Sequence, residues 1–78
     1  MFTVEHEFDA TIVTLVDEAS RHRQEDVTVT AFEDCVTIEQ LDPRTDSIQK
    51  ITLSLAQVKD MTAALNLPEG VYRRTPEA

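Results

Sequence analysis

Residues with the side-chain types of a metal site occur together once, close to the amino-terminus. Glu5, His6 and Glu7 are followed by Asp9. A metal site needs three or four ligands that converge on one point and are held there by further hydrogen bonds. In an extended chain Glu5, Glu7 and Asp9 share one side while His6 points to the other, because successive side chains alternate. We therefore predict a polar segment here and no metal site.

Cys35 and His22 also belong to residue types that act in catalysis, and neither has the neighbours that it would need. A reactive thiolate needs a nearby positive charge, whereas Cys35 directly follows Glu33 and Asp34. His22 lies between two arginines, and no carboxylate is placed to orient it. The chain has one glycine, so it has no glycine-rich loop that could bind phosphate. We predict that the protein is not an enzyme and that it needs no cofactor.

Arginines account for five of the seven basic residues, and an antiparallel meander would bring them to one end of its sheet. The connections 17–25 and 42–46 lie at the same end of such a meander, and a returning helix delivers the C-terminal tail there. The same segments carry more acids than arginines, so we expect ion pairs within the protein rather than a phosphate site. The arginines of this possible anion pole are Arg21, Arg23, Arg44, Arg73 and Arg74.

The composition is acidic, with 15 Asp and Glu residues, seven Lys and Arg residues and a formal net charge of −8. The acids are scattered along the chain, which is typical of a solvated surface. We do not expect nucleic acid or membrane as a partner, since nonspecific binding to either requires clustered basic residues. The first residues lack the basic region and the apolar run of a signal peptide, which predicts a cytoplasmic setting.

At 78 residues the chain is long enough for one small domain. A core of this size rarely supplies more than about 3–5 kcal/mol of stability without reinforcement. The single cysteine excludes an internal disulfide, and there is no set of zinc ligands. Oligomerisation is the remaining natural support. We predict a single domain over residues 1–78, in which residues 1–7 and 75–78 are loose.

Three segments alternate apolar and polar residues in a way that predicts paired strands. Residues 27–32 and 35–40 are rich in β-branched residues and flank the two-residue turn Glu33–Asp34, and residues 47–53 follow after a polar loop. One register puts the apolar side chains on one face and the threonines on the other, whereas a slip of one residue would mix them. The expected pairs are Ala31–Val36, Val29–Ile38, Val27–Gln40, Leu41–Ile48, Ile38–Ile51 and Val36–Leu53.

A helix is predicted directly after the third of these strands. Ser54 and Gln57 have the spacing of a capping box, in which two side chains satisfy the free amides at a helix start. Apolar residues then recur at helical spacing up to Leu65, and Pro68 predicts that the helix ends before it. This helix is expected to lie back across the apolar face of the strands.

Residues 8–22 permit two interpretations. The run of β-branched residues between Thr11 and Val16 favours a strand, with residues 17–25 as the loop that follows. Phe8, Ile12 and Leu15 also fall on one side of a helix, which residues 17–22 would extend. The first interpretation predicts an α+β fold, a four-stranded antiparallel meander followed by one C-terminal helix. The second predicts the order α-β-β-β-α.

A four-stranded sheet is wider than one helix, so part of it would remain uncovered. If residues 8–16 form a strand, we expect Val13 and Leu15 to point to the threonine-rich side, where Phe32 would join them. Exposed apolar residues there indicate a protein partner, most simply a second copy in a homodimer. The predicted function is that of a small acidic non-catalytic protein-interaction module. Its expected interaction surface consists of Val13, Leu15, Thr28, Thr30, Phe32 and Thr37.

The predicted order of four strands and a helix resembles that of the single-stranded-DNA-binding coactivator family and its plant relatives. The resemblance implies binding of single-stranded nucleic acid as an alternative function. Those proteins bind through basic and aromatic residues on the sheet, where this chain offers Lys50 and Phe32 among threonines and glutamates. A further alternative is an acidic inhibitor of phage type that occupies a basic site on another protein, which would require its acids to share one face.

Overall fold

A computed structural model describes residues 1–67, which form one antiparallel sheet followed by one helix. The strands lie in the sheet in the order in which they occur along the chain. This architecture confirms the predicted α+β class, but the sheet has five strands instead of four. The elements are β1 (Phe2–His6), β2 (Thr11–Leu15), β3 (Val27–Ala31), β4 (Cys35–Asp42), β5 (Ser47–Ser54) and α1 (Leu55–Leu65).

The additional strand is β1, and the prediction of a loose segment over residues 1–7 was wrong. Phe2 lies opposite Leu15 and Val4 lies opposite Val13. The Val16 amide extends this pairing by donating to the Met1 carbonyl oxygen at 2.8 Å. A five-residue alternation is too short to predict a strand by itself, and the free edge of β2 provides the missing hydrogen bonds. With a fifth strand, the element order on which the resemblance rested no longer holds.

The second strand, β2, decides between the two interpretations of residues 8–22, and the helical one was wrong. Its five residues pair on one side with β1 and on the other with β3. The Glu7 amide donates to the Ala10 carbonyl oxygen at 2.8 Å, so Phe8 and Asp9 form a two-residue turn between β1 and β2. Pairing on both edges satisfies the backbone hydrogen bonds of this segment. A helix would restrict the side chains of its β-branched residues, which are poor helix formers.

The register predicted for the last three strands is confirmed at every pair. The Phe32 amide donates to the Cys35 carbonyl oxygen at 2.8 Å, which closes the two-residue turn as expected. β4 and β5 each extend slightly beyond the predicted bounds, to Asp42 and Ser54. Alternation and the short turn specified this part of the sheet because each residue pair reinforces the same sorting of side chains.

The helix α1 also begins and ends as predicted. The Gln57 amide donates to Ser54 Oγ at 3.1 Å, and the Ser54 amide donates to Gln57 Oε1 at 2.9 Å, which completes the capping box. At the other end the Asn66 amide reaches the carbonyl oxygen of Ala63. The predicted loose tail, residues 75–78, lies outside the described residues.

The core of the described part is small. Within residues 1–67, the buried side chains are Val36 and Thr37, which are 6% and 7% exposed. They are neighbours in β4 and therefore lie on opposite faces of the sheet. The helix contacts β4 and β5, and it contacts none of the other strands. Most of the sheet therefore lacks a second layer from the residues that the structure describes.

Candidate functional site: the uncovered apolar sheet face

The register sorts the side chains of all five strands into two faces of different chemistry. Across the middle of one face, the residues directly opposite one another are all branched aliphatic: Val4, Val13, Val29, Ile38 and Ile51. We call the apolar face the set Phe2, Val4, Val13, Leu15, Val27, Val29, Ala31, Val36, Ile38, Ile51 and Leu53. We call the threonine face the set Thr3, Thr14, Thr28, Thr30, Thr37 and Thr52.

The apolar face is exposed to an extent that is unusual for such side chains. Phe2 is 67% exposed and Ile51 is 56% exposed, although both lie in paired strands. Val13, Val29 and Ile38, in the middle of the sheet, are half-buried by their neighbours in the same face. Large contiguous apolar patches are rare on monomeric proteins and mark interaction surfaces.

The helix does not provide a complete cover. Val58 is the only half-buried residue of α1, and the helix contains no buried residue. Exposure then increases along its apolar stripe, to 43% at Met61 and 78% at Leu65. A helix that packed along its whole length would bury these residues, and Leu55 in its first turn is exposed as well, so α1 covers the sheet only in part.

The predicted interaction surface does not form one continuous patch. Val13 lies opposite Val29, which places Val13 and Leu15 on the apolar face and not on the threonine face as expected. Thr28, Thr30 and Thr37 lie on the other side of the sheet. The expectation failed because Ile12 and Val16 make an equally good apolar set in the sequence. The long connection 16–26 does not fix the register of β2, and only the pairing with β3 decides it.

Phe32 lies just beyond β3, at the turn, and is 39% exposed. The residue therefore borders the sheet and does not form its centre. Phe8 at the neighbouring turn is fully exposed. Both aromatic residues lie at the end of the sheet opposite to the 16–26 connection, since turns alternate between the ends of a meander.

The described members of the possible anion pole do lie at a common end of the sheet. Arg23 and Arg44 line the same cleft, between the 16–26 connection and the turn from β4 to β5. Arg44 is paired with Asp42, whose carboxylate oxygen is 3.4 Å from Nε. Arg21 and Arg23 form no ion pair with any of residues 1–67. Arg73 and Arg74 lie outside the described residues.

The 16–26 connection has no regular secondary structure but is held by the carboxylate of Asp17. Its two oxygens accept hydrogen bonds from the amides of Ala19 at 2.8 Å and Gln24 at 2.9 Å. These two bonds lower the pKa of Asp17, with a smaller contribution from the positive charge of Arg23. Gln40 Nε2 donates to the carbonyl oxygen of Glu25 at 3.0 Å and ties the connection to β4.

The residues considered for a metal site or for catalysis do not form a cluster in the described part of the chain. His6 is near the end of β1, where its Nδ1 is 3.2 Å from the Thr11 hydroxyl. His22 is in the 16–26 connection at the opposite end of the sheet, with a positive φ of 53°. The pKa of Cys35 is raised, first by desolvation and then by the charge and hydrogen bond of Asp34. This direction agrees with the expectation of an unreactive thiol.

Two further observations concern only the described part of the chain. Within residues 1–67, no three His, Cys, Asp or Glu side chains come close enough together to hold a metal ion. The helix that the structure describes is too short and too polar to cross a bilayer.

Residues 3–64 match the profile of a family described as a domain of unknown function, DUF8831. The match begins in β1 and ends one residue before the end of α1, so it contains nearly the whole sheet-and-helix unit. The chain belongs to the DUF8831 family. Comparison with curated proteins and with solved structures gave no match. In this chain the matched segment is an antiparallel sheet with a C-terminal helix.

Sequence reasoning missed Phe2 and Val4 as members of the apolar face. Phe2-Thr-Val-Glu-His does alternate, with Phe2 and Val4 two residues apart as in a strand that is apolar on one side. This alternation was the available signal. It gains weight only when β2 is known to offer a free edge, because a short strand is not stable without its neighbour.

Proposed function

We propose that this DUF8831 domain is a small acidic, non-catalytic protein-interaction module that acts as a homodimer through its apolar face. The observation that carries the proposal is the row of branched aliphatic side chains across all five strands, which the helix leaves without a full cover. The occupant that we assign to this face is a second copy of the same chain.

The stability of the fold is a further argument for a partner that covers the apolar face. Burial of apolar surface contributes roughly 25 cal/mol per Å² and is the main source of the stability of a fold. Val36 is the only buried apolar side chain in the described part. A five-stranded sheet has to offset the conformational entropy of all its residues. A cover that the fold requires must be present whenever the chain is made, and a second copy of the same chain meets this condition.

The size of the face also fits a dimer. Five strands spaced about 4.8 Å apart, with five or more residues each at about 3.4 Å, give a projected area of roughly 400–500 Å². Side chains increase the accessible area above this projection, toward the roughly 800 Å² per partner of a standard interface. The apolar stripe of α1, which includes Met61 and Leu65, adds to the available surface.

Charge favours this face over the rest of the surface. Each chain carries a formal net charge of −8, so two copies repel each other wherever their acidic surfaces approach. The central row of the apolar face contains no ionisable residue; on this side of the sheet Asp42 lies at one end and His6 at the other. Depletion of charge is typical of the centre of a protein interface. A twofold axis would bring the same face of each copy into contact, at the spacing of about 10 Å that packed sheets adopt.

The alternatives from the sequence are less well supported. On the threonine side of the sheet Lys50 lies directly opposite Glu39, which offsets the positive charge that a nucleic-acid strand would need. An acidic inhibitor would need its acids on one face. Asp9 and Asp34 lie in turns at one end of the sheet, and Asp17 and Asp46 lie in connections at the other. The cytoplasmic setting remains a prediction.

A matched pair of substitutions in the edge strand β1 tests the proposal. Val4 and Thr3 are both exposed and adjacent, but they point to opposite faces of the sheet. We expect Val4→Lys to weaken the dimer at least about tenfold, because its charge would be buried in the interface, and Thr3→Lys to leave the affinity within about twofold. Sedimentation equilibrium over a range of protein concentrations measures both.

A wild-type chain that stays monomeric and folded over the whole concentration range contradicts the homodimer. Equal weakening by the two substitutions would show that the apolar face is not the interface. A pull-down that recovers single-stranded nucleic acid, or protein partners lost after nuclease treatment, would favour the nucleic-acid alternative.

A further inference from the structure

A polar cleft with a volume of about 600 Å³ lies at the end of the sheet where the 16–26 connection meets the turn from β4 to β5. This volume is within the range of roughly 300–1,000 Å³ that small-molecule sites occupy. Hydrogen-bonding side chains dominate its lining, and Leu41 and Pro43 contribute apolar surface. Its basic and amide-bearing lining residues are Arg23, Gln24, Gln40, Arg44 and Gln49.

The wall that the 16–26 connection forms is fixed in place. The carboxylate of Asp17 holds the Gln24 amide at 2.9 Å, and Gln40 Nε2 holds the Glu25 carbonyl oxygen at 3.0 Å. Irregular segments usually have to be ordered when a ligand binds, at a cost in affinity. Here three hydrogen bonds, including the one from the Ala19 amide to Asp17, do this ordering in advance.

Both arginines of the cleft are anchored through the same atom. Arg23 Nε donates to the Ala19 carbonyl oxygen at 3.2 Å, and Arg44 Nε donates to the Asp42 carboxylate at 3.4 Å. The terminal nitrogens of both side chains have no partner among residues 1–67. A guanidinium has five donors in a planar fork, and its terminal pair matches the oxygens of a carboxylate or a phosphate.

The charges around the cleft limit the kind of ligand. Glu25 and Asp42 also line it, so two arginines are balanced by two carboxylates. The net charge of −8 repels polyanions such as nucleic acid from the whole molecule. A ligand with one anionic group, and otherwise neutral and polar, meets little repulsion from these two carboxylates or from the net charge of the molecule. The glutamine side chains supply donors and acceptors for such a neutral polar part.

We propose that this cleft binds a small polar molecule carrying a single oxyanionic group, which Arg23 and Arg44 hold while the amides of Gln24, Gln40 and Gln49 bind its neutral part. The oxyanion is a carboxylate or a phosphate, which share the geometry that a guanidinium recognises. This site borders the apolar face, because Gln40 lies opposite Val27 of that face, but none of the residues that line the cleft belongs to the central row.

The test is a titration of the full chain followed by nuclear magnetic resonance, with inorganic phosphate and acetate as separate probes and sodium chloride at matched ionic strength as the reference. The side-chain amide signals of Gln24, Gln40 and Gln49 report directly from the cleft. We expect saturable shifts of these signals with at least one probe. Saturation by phosphate alone identifies a phosphate site, and saturation by acetate alone identifies a carboxylate site.

Arg21 provides a matched control, since it lies in the same connection but does not line the cleft. Arg23→Gln and Arg44→Gln are each expected to weaken binding about tenfold, and Arg21→Gln to change it less than about twofold. Solution mass measured in parallel separates this result from any effect on the dimer. Absence of saturable shifts with both probes, or equal weakening by all three substitutions, would overturn the proposal.

Discussion

The two faces of the sheet are built by the same strands, yet their side chains interact differently with water. Val29 and Thr30 are adjacent in β3 and both are half-buried, but Val29 lies in a row of branched aliphatic residues and Thr30 beside Thr37. Threonine suits a strand that faces water, because its β-branch favours the extended backbone and its hydroxyl is hydrated. The branched aliphatic side chains of the apolar row have no group that water can hydrate.

The alternation of residues in a strand shows how its two faces differ, but it does not show what covers the apolar face. In many antiparallel sheets the cover comes from the same chain. Here α1 contacts β4 and β5 alone, and the apolar side chains at both of its ends, Leu55 and Leu65, are exposed. The proposal of a dimer follows from this shortage of cover, and substitutions that distinguish the faces test it.

The largest effect is expected from a charge in the centre of each face. Val29→Asp would bury an unpaired carboxylate in the proposed interface and should abolish the dimer, with a loss of roughly 3 kcal/mol or more in stability. Thr30→Asp places the same charge on the other face, opposite Ile12 and Thr37, and should leave the dimer intact with a smaller loss of stability. Urea unfolding combined with solution mass measures both. Comparable losses from the two substitutions would remove the functional distinction between the faces.

An intermediate effect is expected from truncating the two buried neighbours. Val36→Ala removes apolar volume from the apolar face and should cost about 2 kcal/mol. Thr37→Ala, at a residue that is as well buried, should cost about 1 kcal/mol, because a smaller apolar contribution is lost. Chemical denaturation of both variants at one protein concentration gives the comparison. A larger loss at Thr37 would mean that the threonine face holds the more important packing.

The smallest effect is expected from salt. Two chains of charge −8 repel each other, and an interface without ion pairs loses nothing when charges are screened. Raising sodium chloride from about 0.05 M to about 0.5 M should therefore tighten the dimer, by about two- to fivefold. Sedimentation equilibrium at the two concentrations measures the change. A dimer that weakens with salt would be held by charged groups, and so by surfaces other than the apolar face.

Much of the fold could be predicted from local patterns. The sorting of Val29, Ile38 and Ile51 onto one face, and the capping box of Ser54 and Gln57, were both correct. In these segments the turn is short or the signal lies within four residues, so no distant part of the chain is needed to fix the geometry. The residues of the expected interaction surface lie on both faces of the sheet. Their placement required the register of β2, which a connection of about ten residues leaves open.

The sequence was sufficient to predict β3, β4, β5 and α1, the pairing of these three strands and the acidic composition of the chain. The fold was needed to show that Phe2–His6 and Thr11–Leu15 are strands and that Val13 joins the apolar face. It was also needed to show that Arg23 and Arg44, expected at one end of the sheet, line a common cleft. β1 is a strand because the edge of β2 supplies its hydrogen bonds, and the other features depend on contacts made across or by the long 16–26 connection. The pattern of residues within one segment does not contain the free energy of such contacts.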